Sequence, residues 1–197
     1  TENIRSIAAL DPDYMGFIFF PRSPRFAEGT LDADFIQTLP ETIIKTGVFV
    51  NESKENILST VKKYNLKAVQ LHGNEPPALC EQIKREGLQV IKVFGMDAKT
   101  VLPLSDFEDV TDYFLYDTKS PAHGGTGQKF DWNVLKSLHS TKPFFLSGGI
   151  APEDTDVLKE ISKLNVFGLD INSRFEISPG LKDAAKVALF KENLKGI

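Results

Sequence analysis

The stretch TGVFVNESKENILSTVKKYNLKAVQL, residues 46–71, decides the fold. It opens with an apolar run, 46–50, and closes with another, 68–71. Residues 48–50 are apolar at consecutive positions and the run 68–71 is apolar except at Gln70, which is typical of strands buried on both faces. Between them, apolar side chains recur at the spacing of one helical face. These side chains are Ile57, Leu58, Val61 and Tyr64. The stretch therefore predicts a strand, a helix and a second strand.

The same unit recurs along the chain, because short β-type runs alternate with helical patterns. The predicted strands are Met15–Phe20, Thr46–Val50, Ala68–Leu71, Val90–Phe94, Tyr113–Tyr116, Pro143–Leu146 and Val166–Ile171. Strands that alternate with helices predict a parallel sheet with right-handed crossovers. Such a sheet is either open and doubly wound or closed as a (β/α)8 barrel.

Composition limits the classes of function. The length of 197 residues predicts a single domain, residues 1–197, and the net charge of −4 gives no general attraction to nucleic acid or membranes. One cysteine, Cys80, can form neither an internal disulfide framework nor a cysteine metal cluster. This usage is typical of a reducing compartment, so we expect a cytoplasmic protein. Apolar runs are too short to predict a transmembrane helix.

Polar or glycine residues follow every predicted strand. An open sheet gathers ligand groups at one or two strand ends, whereas a barrel brings all strand ends to one face. The residues at these ends include Arg22, Asn51, His72, Gly95, Asp117, Ser147 and Asn172. The sequence therefore predicts a (β/α)8 barrel. We expect its first strand to be missing, upstream of the helical pattern TENIRSIAAL at residues 1–10.

Two loops in the last third of the chain predict a phosphate site. In LSGGIAPED, residues 146–154, Gly148 and Gly149 lie between a strand and a helical pattern, where backbone N–H groups and the helix dipole favour an anion. In DINSRFE, residues 170–176, Ser173 follows the next strand. With the missing strand counted, these are the loops that often bind phosphate in such barrels. The alternative is that the glycines only permit a tight turn.

Three further side chains are candidates for binding or catalysis. Arg25 or Arg22, in the proline-stiffened FFPRSPRF, could bind a carboxylate through two hydrogen bonds, or both could be solvated. Asp117 ends a predicted strand, where a carboxyl group can act as general acid, general base or structural cap. His72 also ends a strand, and it is either a wall residue or a catalyst.

Six ordered motifs together resemble the phosphoribosylanthranilate isomerase family of tryptophan biosynthesis, from Asp13 to Asp183. They are GFIFFPRSPR, GVFVNE, VQLHGNE, DTKSPAHGGTGQKFDW, LSGGIAPED and DINSRFE with SPGLKD. The resemblance implies an Amadori rearrangement of N-(5-phosphoribosyl)anthranilate, without a cofactor. It also implies a small phosphorylated substrate and a monomer or homodimer.

The resemblance assigns roles residue by residue. Asp117 matches the general acid that opens the ribose ring, and Arg25 matches the arginine that holds the anthranilate carboxylate. The backbone around Gly125, Gly148, Gly149 and Ser173 matches the phosphate site, with His72 in the substrate-binding wall. The family's general base is a cysteine at the end of the first strand, which Cys80 does not match. Arg174 stands where many members have glycine.

Two other interpretations stay open at this point. Another phosphate-binding barrel enzyme, a synthase or lyase acting on an indole or imidazole ribose phosphate, would need a lysine or a second acid at a strand end. Lys92, inside a predicted strand, is the candidate lysine. A chain without its first strand could instead be a non-catalytic phosphate-binding fragment.

Overall fold

The computed structural model describes residues 1–97, 102–119, 129–138 and 140–195 of the chain. Within these residues, seven parallel strands form one sheet in chain order. They are β1 (Tyr14–Ile18), β2 (Ile44–Phe49), β3 (Ala68–Leu71), β4 (Gln89–Met96), β5 (Tyr113–Thr118), β6 (Phe144–Leu146) and β7 (Val166–Leu169). A short antiparallel hairpin follows, with β8 (Glu176–Ser178) and β9 (Leu181–Lys182).

The seven predicted strands are confirmed, with ends that differ by up to two residues. The strand Ala68–Leu71 has the predicted bounds, whereas β4 extends to Met96 because it pairs with β5 over six positions. Within the described residues, β1 and β7 do not pair with each other. The sheet is therefore a (β/α)8-type barrel with an opening between these two strands.

Six α-helices surround the sheet in the described part of the chain. They are α1 (Glu2–Ala8), α2 (Ala33–Gln37), α3 (Lys54–Tyr64), α4 (Pro77–Arg85), α5 (Thr155–Ile161) and α6 (Ala184–Asn193). Local sequence sets their ends. The Ser53 hydroxyl accepts from the backbone N–H of Asn56 at 3.3 Å and caps α3, while Asn65, with φ 50°, ends it. None of the described helices combines the length and hydrophobicity needed to cross a bilayer.

Strand alternation divides the side chains into two layers. On β5, Phe114 and Tyr116 point outward into the core beneath the helices and are at most 1% exposed, whereas Leu115 and Asp117 line the interior. A cavity of about 1560 Å³ extends from the carboxyl ends of the strands to the opening between β1 and β7. The barrel thus brings the polar strand ends to one cavity.

Candidate active site

Asp117 lies at the carboxyl end of β5 and faces the cavity, with 6% of its surface exposed. Its Oδ1 accepts a hydrogen bond from the Thr118 backbone N–H at 2.8 Å, and its Oδ2 lies 3.3 Å from His72 Nε2. The Gln70 side-chain amide lies 3.2 Å from His72 Nδ1. If the amide donates to Nδ1, the neutral imidazole carries its proton on Nε2, toward Asp117. Two predicted site residues, Asp117 and His72, are therefore in contact.

A second carboxyl group, Asp170, belongs to the same site, although sequence reasoning gave it no role. It follows β7 directly, and its Oδ2 accepts a hydrogen bond from the Ser147 hydroxyl at 2.9 Å. Burial raises the pKa of Asp170, and the charge of Asp117 raises it further, while the Ser147 hydroxyl and the Lys182 ammonium group oppose the shift. The available signal was a charged residue inside the predicted strand Val166–Ile171, which ends two residues earlier in the structure.

Arg25 lines the cavity in the loop after β1, where an ion pair holds its guanidinium group. Its Nε donates to both oxygens of Glu176 at 3.0 Å, and its Nη2 donates to Oε2 at 2.6 Å. Lys182 Nζ donates to Glu176 Oε1 at 2.9 Å and also bonds to the side-chain oxygen of Asn172. Burial favours a raised pKa for Glu176, but the bonds from Arg25 and Lys182 outweigh it and lower the pKa to about 2.

The predicted phosphate loops both reach the cavity. Gly148 and Gly149 have φ values of 88° and 68°, a region that favours glycine, and both line the cavity with Ser173. Among the described residues, the backbone N–H groups of Gly148 and Gly149 have no hydrogen-bond partner. The Ala151 N–H is already bonded to Asp154 Oδ2 at 2.7 Å. The N–H groups available to an anion are therefore those of the two glycines rather than that of Ala151, at the start of the 3-10 turn Pro152–Asp154.

The remaining predicted residues lie apart from this cluster or outside the described residues. Gly125 falls in the undescribed segment 120–128. Arg22 is exposed at the rim of the cavity, and Arg174 is exposed beside the Ser173 loop. Cys80 is a fully buried residue of α4, and burial raises the pKa of its thiol to about 11, which is typical of an unreactive thiol.

Lys92, the candidate lysine of the alternative interpretation, points away from the cavity. Its Nζ donates to Glu75 Oε2 at 2.7 Å and to the carbonyl oxygens of Gly73 and Leu71 at 2.7 and 3.2 Å. Glu75 in turn accepts from the backbone N–H groups of Asn51 and Gly73. This buried ion pair connects the carboxyl end of β3 to the loops that carry Asn51 and Gly73, on the side of the sheet away from the cavity.

The arrangement offers acid–base groups at the centre of the cavity and anion sites on two sides of it. Asp117, His72 and Asp170 provide proton donors and acceptors, while Arg25 suits a carboxylate and the glycine loop suits a phosphate. Within the described residues, no group of three His, Cys, Asp or Glu side chains is arranged to hold a metal ion. The site suits a small molecule with two anionic ends.

Comparison with known proteins gives a consistent result. The family model described as N-(5'phosphoribosyl)anthranilate (PRA) isomerase matches residues 1–193. The N-(5'-phosphoribosyl)anthranilate isomerase of Phocaeicola vulgatus is 43% identical over 195 residues, which cover 98% of this chain and 93% of the relative.

The solved structures similar to this chain include members of the same family. The phosphoribosyl anthranilate isomerase of Thermus thermophilus is similar with a TM-score of 0.83 and 29% identity, covering 98% of this chain and 93% of its own. A phosphoribosyl anthranilate isomerase in complex with reduced 1-(o-carboxyphenylamino)-1-deoxyribulose 5-phosphate is 31% identical, with a TM-score of 0.75, and covers 100% of this chain and 94% of its own. Because the family model covers residues 1–193 and the Phocaeicola vulgatus relative is 43% identical over nearly the whole chain, the chain belongs to the phosphoribosylanthranilate isomerase family.

Proposed function

We propose that this enzyme converts N-(5-phosphoribosyl)anthranilate to 1-(2-carboxyphenylamino)-1-deoxyribulose 5-phosphate in tryptophan biosynthesis. The observation that carries the proposal is one cavity lined by an acid, Asp117, by Arg25 and by two glycine N–H groups that have no partner among the described residues. This substrate has a carboxylate at one end and a phosphate at the other. Its reacting sugar ring lies between them.

Asp117 is the general acid in this proposal. Protonation of the ribose ring oxygen by Asp117 weakens the bond between that oxygen and C1', and the ring opens to a Schiff base. His72, 3.3 Å from the carboxyl group, fixes the orientation of Asp117. A positioned acid of this kind typically contributes about 10²–10⁴ in rate.

Binding of the two anionic ends orients the substrate. Arg25 binds the anthranilate carboxylate, and the N–H groups of Gly148 and Gly149, with Ser173, bind the phosphate. Gly125 is proposed to complete the phosphate site, as the family resemblance implies. Fixing both ends holds the ring oxygen near Asp117, which lowers the entropic part of the barrier.

Removal of the C2' proton requires a base, and we propose that an eighth strand from outside the described residues carries it. In the part of the chain that the structure describes, β1 and β7 each have one unpaired edge, and the side chains of Phe17 and Leu169 line the cavity there. A strand seated there closes the barrel and pairs both edges. The family resemblance implies a cysteine at its end. Cys80 is unsuited, because it is buried behind the strands.

A substrate panel tests the proposal. We expect the full-length enzyme to remove the fluorescence of N-(5-phosphoribosyl)anthranilate and to leave indole and imidazole ribose phosphates unchanged. The reverse pattern would favour the synthase or lyase alternative, which needs a lysine or a second acid at a strand end, and Asp170, directly after β7, is such an acid. Lys92 has all three of its donors bonded to protein groups. The oligomeric state, monomer or homodimer, stays a prediction. Analytical ultracentrifugation of the same sample tests it.

A further inference from the structure

The Arg25–Glu176 pair joins two parts of the chain that are 151 residues apart in sequence. The side chains are 11% and 4% exposed, and three N–H to oxygen contacts connect them, at 3.0, 3.0 and 2.6 Å. A paired guanidinium–carboxylate contact of this kind fixes the plane of the guanidinium group. The orientation of Arg25 therefore depends on Glu176.

Arg25 keeps donors for a ligand after this pairing. A guanidinium group has five N–H donors, and Glu176 engages only Nε and Nη2. Among the described residues, Nη1 of Arg25 has no hydrogen-bond partner. A second, planar anion in the cavity can therefore bind Arg25 without displacing Glu176.

Charge in the cluster also favours an anion. Glu176 bonds to two cations, Arg25 and Lys182, so the three groups together have a net charge of +1 when Lys182 is protonated. Lys182 extends the cluster to Asn172, the neighbour of Ser173 in the phosphate loop. A carboxylate that reaches Arg25 neutralises the remaining charge.

The segment that carries Glu176 is anchored independently of Arg25. The Asn3 side chain bonds to both the backbone N–H and the carbonyl oxygen of Lys182, at 2.9 and 2.7 Å. The Gly180 N–H donates to Glu176 Oε1 at 3.1 Å. The hairpin β8–β9 thus positions the carboxylate through contacts that do not involve Arg25.

We propose that Glu176 is a positioning residue that aligns Arg25 and thereby gives the enzyme its selectivity for substrates with a ring carboxylate. This inference rests on the proposed function. The opposite arrangement is that Glu176 competes with the substrate for Arg25. The two arrangements predict opposite effects on substrate affinity. Loss of the Glu176 charge weakens binding of the carboxylated substrate if Glu176 aligns Arg25, and strengthens it if Glu176 competes for Arg25.

The experiment compares two substrates in full-length enzyme with and without Glu176→Gln. They are N-(5-phosphoribosyl)anthranilate and its analogue with aniline in place of anthranilate, which lacks the carboxylate. We expect KM for the first to rise by about tenfold, with kcat within about twofold, and KM for the aniline analogue to stay within about twofold. A purely structural role would raise both KM values together, and competition would lower KM for the first. Either result would overturn the proposal.

Two further variants complete the design. Glu160→Gln, an exposed glutamate paired with Lys163 far from the cavity, is the matched control and should leave both KM values unchanged. Glu176→Asp keeps the charge and should give an intermediate KM for the carboxylated substrate alone, which decides the question if Glu176→Gln does not fold. Turnover of N-(5-phosphoribosyl)anthranilate by the wild-type enzyme is measured first. If the wild type does not convert it, the proposed function is wrong, whereas the effect of Glu176→Gln on KM tests only the alignment of Arg25.

Discussion

Two buried ion pairs in this protein look alike but differ in their unused donors. Glu75–Lys92 and Arg25–Glu176 have closest contacts of 2.7 and 2.6 Å, and all four side chains are at most 11% exposed. Lys92 has three N–H donors, and the protein engages all three, whereas Arg25 keeps Nη1 for a ligand. Burial of charge therefore does not identify a binding site here, but unused donors facing a cavity do.

Strand alternation explains why the two pairs differ. On β4, Ile91 points into the cavity and Lys92 points outward, where the carbonyl ends of β3 are within reach. The outward pair therefore stabilises the loops that carry Asn51 and Gly73. The Arg25–Glu176 pair lines the cavity, so the remaining N–H donors of Arg25 can bind a ligand there.

The largest expected effect is that of Asp117→Asn, which removes a proton donor on the cavity side. Asparagine has nearly the same shape but cannot donate the acid proton, so we expect turnover to fall by about 100-fold or more while the fold stays intact. Steady-state kinetics and circular dichroism measure the two properties. A variant that keeps more than about a tenth of wild-type activity would contradict the role of Asp117.

Lys92→Met should have its main effect on stability, because it leaves Glu75 buried without its cation. We expect the free energy of unfolding to fall by about 3–5 kcal/mol. A denaturation cycle with Glu75→Leu and the double variant should show that the two losses are not additive. If Lys92→Met had normal stability but lost as much activity as Asp117→Asn, the Glu75–Lys92 pair would not be purely structural, and it would not differ from the Arg25–Glu176 pair as described.

Gly148→Ala tests whether the glycine loop binds phosphate. A Cβ at Gly148 would lie 2.6 Å from Thr118 Oγ1 and 2.8 Å from the Thr118 backbone nitrogen, so the loop must shift. We expect the inhibition constant of inorganic phosphate to rise about tenfold. Gly87→Ala is the matched control, since its φ of 80° is similar but its Cβ would meet nothing within 4 Å. If phosphate inhibition is unchanged in Gly148→Ala, the glycines only form a turn.

The smallest effect concerns the stability of the enzyme at low pH. The pKa of Glu176 is about 2 in the folded protein and 4.5 as an ordinary glutamate. A lowered pKa stabilises the fold fully above the unfolded value, so this contribution is present above pH 4.5 and is lost as the pH falls toward 2. The free energy of unfolding, measured by denaturation between pH 2 and 4.5, should change less with pH in Glu176→Gln than in Glu160→Gln. Equal slopes would show that the pair with Arg25 does not stabilise the fold.

Local pattern was sufficient for most of the fold. The mainly apolar run 68–71 predicted a strand with the observed bounds, and the polar strand ends predicted a shared cavity. The short helix Ala33–Gln37 and the final helix Ala184–Asn193 were not predicted. Neither the five residues of the first nor the weak apolar face of the second gives a clear helical pattern.

The site was only partly predictable, because its contacts join distant positions. Asp117, His72 and Arg25 stood out from their places after strands. Glu176, 151 residues beyond Arg25, gave no local signal, since only the hairpin β8–β9 brings it there. The same holds for Glu75 and Lys92, whose pairing depends on which face of β4 a side chain occupies.

The most direct test of this account is a crystal structure of the full-length enzyme with reduced 1-(o-carboxyphenylamino)-1-deoxyribulose 5-phosphate, the ligand held by a solved relative. We predict that its carboxylate bonds to Arg25 through Nη1 while Glu176 stays paired, and that its phosphate accepts hydrogen bonds from the N–H groups of Gly148 and Gly149. Asp117 should lie beside the sugar chain. A ligand bound in the reverse direction, or an Arg25 that leaves Glu176 to reach it, would contradict the account.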